Sequence, residues 1–130
     1  MNLTDIDPEI LANTSGVLCT LDSAGRPQLT AVWFIERDGH LWVSINANRQ
    51  KARNLAGNGE VSMLIFHPRT DSYFAEVRGT ATLIADPDYA LSAQVAKRYN
   101  ADFRSFDQPG DTRFVIDITP SKVLTTDVRH

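Results

Sequence analysis

Residues 42–57 read WVSINANRQKARNLAG, an alternating apolar run followed by a short basic segment. Asn48 is a favourable N-cap residue, so we predict a helix that begins at Arg49 and ends at Gly57 in the left-handed conformation. Arg49 and Lys51 then lie in the first turn, where the helix dipole favours acidic side chains instead. Free backbone amides and cationic side chains at a helix N-terminus are typical of phosphate sites. We therefore predict an anion-binding site at this junction; the alternative is a solvated basic turn.

The composition fits one domain that covers residues 1–130. Of the 130 residues, 42% are hydrophobic, which is enough for a core without disulfides or metals. A net charge of −3 argues against nucleic acid as a partner. The single cysteine, Cys19, alternates with Val17 and Leu21, which predicts a small core residue. The sequence has neither a signal peptide nor an apolar run of about 18 residues, so we expect a cytoplasmic protein without membrane contact.

The periodicity of the sequence predicts a mainly β fold. Helices are predicted at residues 8–13, 49–57 and 86–99. Strands are predicted at residues 16–22, 26–36, 40–46, 60–66, 73–85, 112–119 and 122–127. Gly79 indicates a bulge within its strand, and Pro120 indicates a break between the last two strands. This order of elements favours a six- or seven-stranded antiparallel barrel with short flanking helices.

Two apolar regions predict a homodimer. The strand at 26–36 is apolar on both faces, and its alternation assigns Trp33 to the core. The irregular loop at 101–111 carries Phe103 and Phe106, which need cover from this chain or from another. Together these residues leave more apolar surface than a small monomeric barrel hides, so we expect a second copy to cover it.

Three segments of the chain resemble one known family. They are GRPQLTAVWF (residues 25–34), VSINANRQKARNL (43–55) and AEVRGTATL (75–83). In this order and spacing they resemble the pyridoxamine-5′-phosphate-oxidase-like flavoproteins, which have a split β-barrel fold. The resemblance covers residues 11–128, and within that family it is greatest to the flavin- and deazaflavin-dependent oxidoreductases of actinobacteria.

The resemblance implies a homodimer with two cofactor sites at the subunit interface. Arg49 and Lys51 match family positions that hold the cofactor phosphate, with solvated charge as the alternative. Four residues match positions beside the tricyclic ring: Leu29, Thr30, Ala31 and Val32. Two residues match positions near the phosphoribityl chain: Ser44 and Asn46. For these six residues the alternative is packing within the barrel.

The resemblance leaves two cofactors open. Coenzyme F420 continues past its phosphodiester into an oligoglutamate tail and needs an open groove with additional positive charge, whereas FMN ends in one phosphate. Arg53, Arg69 and Lys97 are candidates for that charge. Gln50 separates the two basic residues of the phosphate site, which resembles the deazaflavin branch, whereas Ala31 stands where some of its members have a polar residue. F420 is the predicted cofactor, with FMN as the alternative.

We expect an oxidoreductase that transfers a hydride between reduced F420 and a small organic acceptor. The alternatives are an FMN-dependent oxidase or reductase of the same fold and a non-catalytic flavin- or F420-binding protein. Because the cofactor carries the chemistry, no acid or base residue is required, and none is assigned. His40, His67 and His130 lack metal-ligand spacing, so no metal is expected. Glu76 and Arg78 share a strand face, and we expect them to pair with each other rather than contact substrate.

Overall fold

Seven strands and three α-helices make up the computed structural model, which describes residues 1–129. The strands are β1 (Gly16–Leu21), β2 (Pro27–Val32), β3 (Ile35–Arg37), β4 (His40–Asn46), β5 (Glu60–His67), β6 (Thr70–Ala85) and β7 (Arg113–Asp127). The helices are α1 (Pro8–Leu11), α2 (Gln50–Gly57) and α3 (Ala90–Tyr99), and two 3₁₀ helices span Leu3–Asp5 and Phe103–Phe106. His130, one of the three histidines considered above, lies outside the described residues.

All seven strands join one antiparallel sheet in the order β2-β1-β5-β6-β7-β4-β3. Alternate side chains of the inner strands are buried, so β1, β4, β5, β6 and β7 contribute to one apolar core. Its fully buried members include Leu18, Val43, Met63, Val77 and Ile116. The prediction of a mainly β, antiparallel split barrel with flanking helices is confirmed.

The longest hairpin, β6–β7, contains the predicted bulge at Gly79. The register shifts between Arg78 and Gly79, and a Cβ atom at Gly79 would lie 2.2 Å from the carbonyl oxygen of Thr119. Pro120 lies opposite Gly79, where a residue without an N–H group is tolerated. The predicted break at Pro120 is therefore wrong, because β7 continues through the bulge as one strand.

The predicted strand at 26–36 is divided into β2 and β3 by a break at residues 33–34. The Tyr99 hydroxyl accepts a hydrogen bond from the backbone N–H of Phe34 and donates one to its carbonyl oxygen, both at 3.0 Å. Arg98 donates to the same carbonyl at 2.6 Å. Side chains of α3 thus satisfy backbone groups that a continuous ladder would have used, and periodicity alone does not show such contacts.

Two predictions of side-chain orientation are wrong. On β1 the buried residues are Gly16, Leu18 and Thr20, whereas Cys19 is only half-buried. Thr20 is buried because its hydroxyl accepts a hydrogen bond from the Asn54 side chain of α2, at 3.0 Å. Trp33 is 37% exposed rather than part of the core. Where apolar residues occupy both faces of a strand, alternation does not determine which face is inside.

All three helices are shorter than predicted: α1 begins at its predicted residue and α2 one residue later, whereas α3 begins at Ala90, four residues after its predicted start. Asp7 caps α1 by accepting from the Glu9 amide at 2.9 Å, and the helix ends two residues before the predicted end at residue 13. Asp86 accepts from the first amides of α3, Leu91 at 3.0 Å and Ser92 at 2.6 Å. Within residues 1–129, no helix is long and apolar enough to cross a bilayer.

Candidate cofactor-binding groove

A groove of about 820 Å³ is lined by residues of β2, β4, the start of α2, the second 3₁₀ helix and the start of β7. Seven of the eight predicted site residues line it: Thr30, Ala31, Val32, Ser44, Asn46, Arg49 and Lys51. Leu29, the eighth, does not line the groove and is 66% exposed. The structure therefore brings seven of these residues together around one space, although β2 and β4 lie far apart in the strand order.

The junction between β4 and α2 differs from its prediction by one residue. Arg49, not Asn48, is the N-cap, with an extended backbone (φ −75°, ψ 146°) and no capping hydrogen bond from its side chain. Gly57 is the last helical residue rather than a left-handed stop, and Asn58 follows in an extended conformation. Asn48 lies before the cap: its backbone N–H donates to Asn46 Oδ1, and its side-chain Nδ2 donates to Asp111 on the opposite wall of the groove.

Arg49 and Lys51 line the groove without an acidic partner. Within residues 1–129, neither side chain forms an ion pair, and the backbone amides of Gln50 and Lys51 have no backbone acceptor. Burial lowers the pKa of the half-buried Lys51 ammonium, and the neighbouring Arg49 charge lowers it further. We call these two residues the cation pair. Because no carboxylate of residues 1–129 forms an ion pair with either cation, both are available to bind an anion.

Arg53 is the third basic residue of this segment, and it is held by the protein. Its guanidinium donates to the carbonyl oxygen of Asn48 at 2.8 Å and to the side chain of Gln50 at 2.7 Å. Arg53 does not line the groove. The structure thus separates two basic side chains that face the groove from one that braces the helix start.

The opposite wall contains a buried ion pair between Asp107 and Arg113. Their side chains are 4% and 5% exposed, and the guanidinium bonds both carboxylate oxygens. Burial alone would raise the pKa of Asp107, but hydrogen bonds from Arg113, Tyr89 and Asn46 outweigh it and hold the pKa below its usual value. Arg113 also lies 4.8 Å above the centre of the Phe103 ring. Both oxygens of this carboxylate accept hydrogen bonds, so it fixes the wall.

The two predicted polar residues of β4 contact this opposite wall. Ser44 Oγ lies 2.7 Å from Ser92 Oγ of α3 and accepts from Arg113 Nη1 at 3.4 Å. Asn46 Nδ2 donates to Asp107 at 3.1 Å and to Asp111 at 2.8 Å. Both side chains therefore line the groove and also belong to its internal hydrogen-bond network.

Aromatic side chains form the remaining part of the lining. Trp33 stacks on Tyr99, with ring centres 4.5 Å apart and planes 5° from parallel. Phe103 and Phe106 approach Trp33 at 6.0 Å and 6.2 Å. We call Trp33, Phe103 and Phe106 the aromatic wall. Phe106 is 58% exposed, so this wall presents apolar rings at the surface of the groove.

The sequence pattern does not predict the acidic and basic residues of the 101–113 segment as part of the groove. Asp107 and Asp111 surround a Pro-Gly turn, which is a usual place for aspartate in an exposed loop. The pairing of Asn46 with Arg113 between β4 and β7 is what brings them into the groove. A correct prediction of that strand pair, with Arg113 as the first residue of β7, would have indicated the site.

His40, His67 and the Glu76–Arg78 pair lie apart from this groove. His40 pairs with Asp117 at 2.7 Å, and His67 pairs with a glutamate of α1 at 2.5 Å. No cluster of potential metal ligands occurs within residues 1–129. Glu76 and Arg78 form the expected ion pair, at 2.8 Å.

The fold defines the class of split-barrel proteins, here with a groove against the antiparallel sheet. A sequence model of the pyridoxamine 5′-phosphate oxidase family matches residues 4–127, so the chain belongs to that family. No curated protein sequence gave a significant match.

Three solved structures illustrate the similarity. An F420 reductase is 28% identical, covering 88% of this chain and 93% of its own, with a TM-score of 0.76. A conserved hypothetical protein from Mycobacterium tuberculosis is 27% identical, covering 99% of this chain and 86% of its own, with a TM-score of 0.79. The heme storage protein of Vibrio cholerae is 21% identical over 100% of both chains, with a TM-score of 0.76, and supports the fold alone.

Proposed function

We propose that this protein is an oxidoreductase that binds coenzyme F420 in the groove and transfers a hydride between the reduced coenzyme and a small organic acceptor. The observation that carries the proposal is the cation pair, Arg49 and Lys51, which lines the groove with neither side chain in an ion pair among the described residues. The 28% identity to an F420 reductase over most of both chains supports the choice of coenzyme.

The cation pair suits the phosphodiester of F420. An Arg fork and a Lys ammonium bind phosphate oxygens by charge-assisted hydrogen bonds, which are about twice as strong as neutral ones. The unpaired amides of Gln50 and Lys51 at the start of α2 add donors in the same place. A bound phosphate would also reverse the electrostatic penalty that lowers the pKa of Lys51.

The sheet side of the groove suits a flat ring system. Thr30, Ala31 and Val32 line it from β2, which is an edge strand of the sheet and has one row of backbone groups without a partner strand. The chain's residues would bind and orient the coenzyme and exclude water from the reacting face. When bound, F420 supplies the hydride chemistry. We assign no residue to proton transfer.

One observation favours FMN as the second candidate cofactor. The additional cations expected for an oligoglutamate tail are engaged elsewhere: Arg53 braces α2, and Arg69 pairs with Glu9 at 2.7 Å. Lys97 lines a different surface depression, beside Glu36. With only the cation pair at the phosphate site, a single terminal phosphate would also be matched.

We propose further that the protein acts as a homodimer in which the second copy covers β2. Leu29 on this edge strand is 66% exposed, and the aromatic wall adds Trp33 and Phe106, at 37% and 58%. Large apolar side chains exposed beside an edge strand are typical of an interface. Light scattering at micromolar concentration should give twice the monomer mass, and the mass of a single chain would contradict the dimer.

Titration of the purified protein tests the coenzyme assignment. F420 fluorescence should change saturably on addition of protein, and the protein purified without added coenzyme should show no flavin spectrum. A yellow protein with a flavin spectrum, and no response to F420, would favour FMN instead. Turnover over a panel of acceptors with reduced F420 separates an enzyme from a binding protein, because a carrier would bind F420 without oxidising it.

A further inference from the structure

The side chain of Asn46 is nearly saturated by contacts within the protein. Its Nδ2 donates to Asp107 Oδ1 at 3.1 Å and to Asp111 Oδ2 at 2.8 Å. Its Oδ1 accepts the backbone N–H of Asn48 at 2.9 Å. A side-chain amide has two donors and two lone pairs, so both donors and one lone pair are already used. Direct contact with a cofactor is therefore limited to one remaining lone pair.

These three bonds join parts of the groove that are far apart in the sequence. Asp107 directly follows the 3₁₀ helix that carries Phe103 and Phe106, and its carboxylate is fixed by Arg113. Asp111 accepts a second hydrogen bond from the same β4–α2 segment, from Asn48 Nδ2 at 3.2 Å.

On the other side, Asn46 holds the approach to the cation pair. The backbone N–H of Arg49 donates to the carbonyl oxygen of Asn46 at 3.1 Å, and the Asn48 amide is held by the Asn46 side chain. Asn46 thus closes two overlapping turns, over residues 46–48 and 46–49, directly before the first helical residue of α2. A displacement of the 103–111 segment that moved Asp111 would pull on this backbone through Asn46 and Asn48.

We propose that Asn46 is a positioning residue that couples the cation pair to the aromatic wall, so that an anion bound by Arg49 and Lys51 also orders residues 103–111. The coupling is reciprocal, because an effect of one site on the other must equal the reverse effect. The identity of the anion as a coenzyme phosphate rests on the proposed function; the coupling itself rests on the hydrogen bonds of Asn46.

A tryptophan reporter makes the coupling measurable. The chain has two tryptophans, and Trp42→Phe leaves Trp33 as the only one, in contact with Phe103 and Phe106. Pyrophosphate added to this variant should change the Trp33 emission as it binds. In the Asn46→Leu variant of the same background, the Kd for pyrophosphate should rise about fivefold to tenfold, the effect of one to two lost hydrogen bonds, and the emission change should be lost.

Two further variants test whether the effect depends on the hydrogen bonds of Asn46 within the groove. Asp111→Ala removes bonds from Asn46 and Asn48 but leaves the buried Asp107–Arg113 pair. It should reduce the Trp33 emission change at saturating pyrophosphate, even though the loss of this carboxylate from the groove favours anion binding. Asn13→Leu is the matched control, since the side-chain amide of Asn13 also donates a hydrogen bond within the protein, to the Phe66 carbonyl at 2.7 Å, but lies outside the groove. This control should bind pyrophosphate as the parent does.

The outcomes separate the coupling from the proposed function. A weaker Kd in Asn46→Leu with an unchanged Trp33 response, or no Trp33 response in the parent that binds pyrophosphate, overturns the coupling. If the parent binds neither pyrophosphate nor F420, the proposed function fails, and hydrogen exchange without ligand decides the coupling. Faster amide exchange in both 47–51 and 103–111 of Asn46→Leu supports it, whereas faster exchange in only one segment overturns it.

Discussion

Arg113 and Arg49 line the same groove but differ in their burial and in their acidic partners. Arg113 is buried and bonds both oxygens of Asp107, whereas Arg49 is exposed beside Lys51 without an acidic partner among residues 1–129. A buried charge with a complete set of partners stabilises one arrangement of the chain. A cluster of like charges without partners destabilises the empty protein and is relieved by a ligand. In the proposed function, the Asp107–Arg113 pair therefore stabilises one wall of the groove, and the cation pair on the other wall binds the ligand.

Removing one partner of the buried pair should have the largest effect. Asp107→Asn leaves the Arg113 cation buried without a counter-charge, and we expect the free energy of unfolding to fall by about 3–5 kcal/mol. Urea denaturation followed by circular dichroism measures it. Glu76→Gln is the control, since it breaks a pair that is largely exposed and should hardly shift the midpoint. Equal shifts in both variants would mean that the groove wall does not depend on this pair.

The cation pair should give the complementary result. Arg49→Ala and Lys51→Ala should each weaken F420 binding by about 1.5–3 kcal/mol, roughly 10- to 150-fold in Kd, while the fold stays intact. Fluorescence titration measures the Kd, and the urea midpoint checks the fold. Lys122→Ala, which removes an exposed charge outside the groove, should bind as the wild type does. Unchanged titration curves for both groove variants would remove the proposed phosphate site.

The contrast between the two walls also shows what the sequence could predict. The strand β4 (His40–Asn46) matches its prediction at both ends, because strict alternation follows an Asp-Gly turn whose two residues have positive φ. The basic residues that follow are likewise recognised from a short stretch of sequence. Local patterns of this kind predicted the strands and the cation pair.

The other wall depends on contacts that a local pattern does not contain. Asp107 reaches Asn46 across a separation of 61 residues, and Tyr99 ends β2 from 65 residues away. Which face of β1 or β2 is buried is likewise decided by partners from elsewhere, as for Thr20 and Asn54. The sequence predicted which segments are strands, but not the side-chain network that closes the groove.

Acid should reduce the stability that the buried Asp107–Arg113 pair contributes to the fold. Its pKa is held below the ordinary value of 3.8, so the folded chain releases this proton more readily than the unfolded chain does. The stabilisation is present above 3.8 and is lost as the pH falls through the lowered folded pKa. Because other carboxylates, including Asp127 with a pKa of about 2, also titrate there, the measurement is the difference in stability between wild type and Asp107→Asn. That difference should shrink in acid; a constant difference would contradict the assignment.

Raising the pH into the alkaline range should increase stability through Lys51, whereas acid lowers it through Asp107. This is the smallest of the predicted effects. The pKa of Lys51 is lowered by burial and by Arg49, so between that value and the ordinary 10.5 the unfolded chain holds a proton that the folded chain has lost. Stability therefore rises with pH across this window, relative to a Lys51→Met variant that has no proton to lose. Saturating pyrophosphate should abolish the rise, because a bound anion favours the charged ammonium. Parallel stability curves for wild type and variant without ligand would show that Lys51 is solvated like any surface lysine, and the contrast between the two walls would then rest on Arg49 alone.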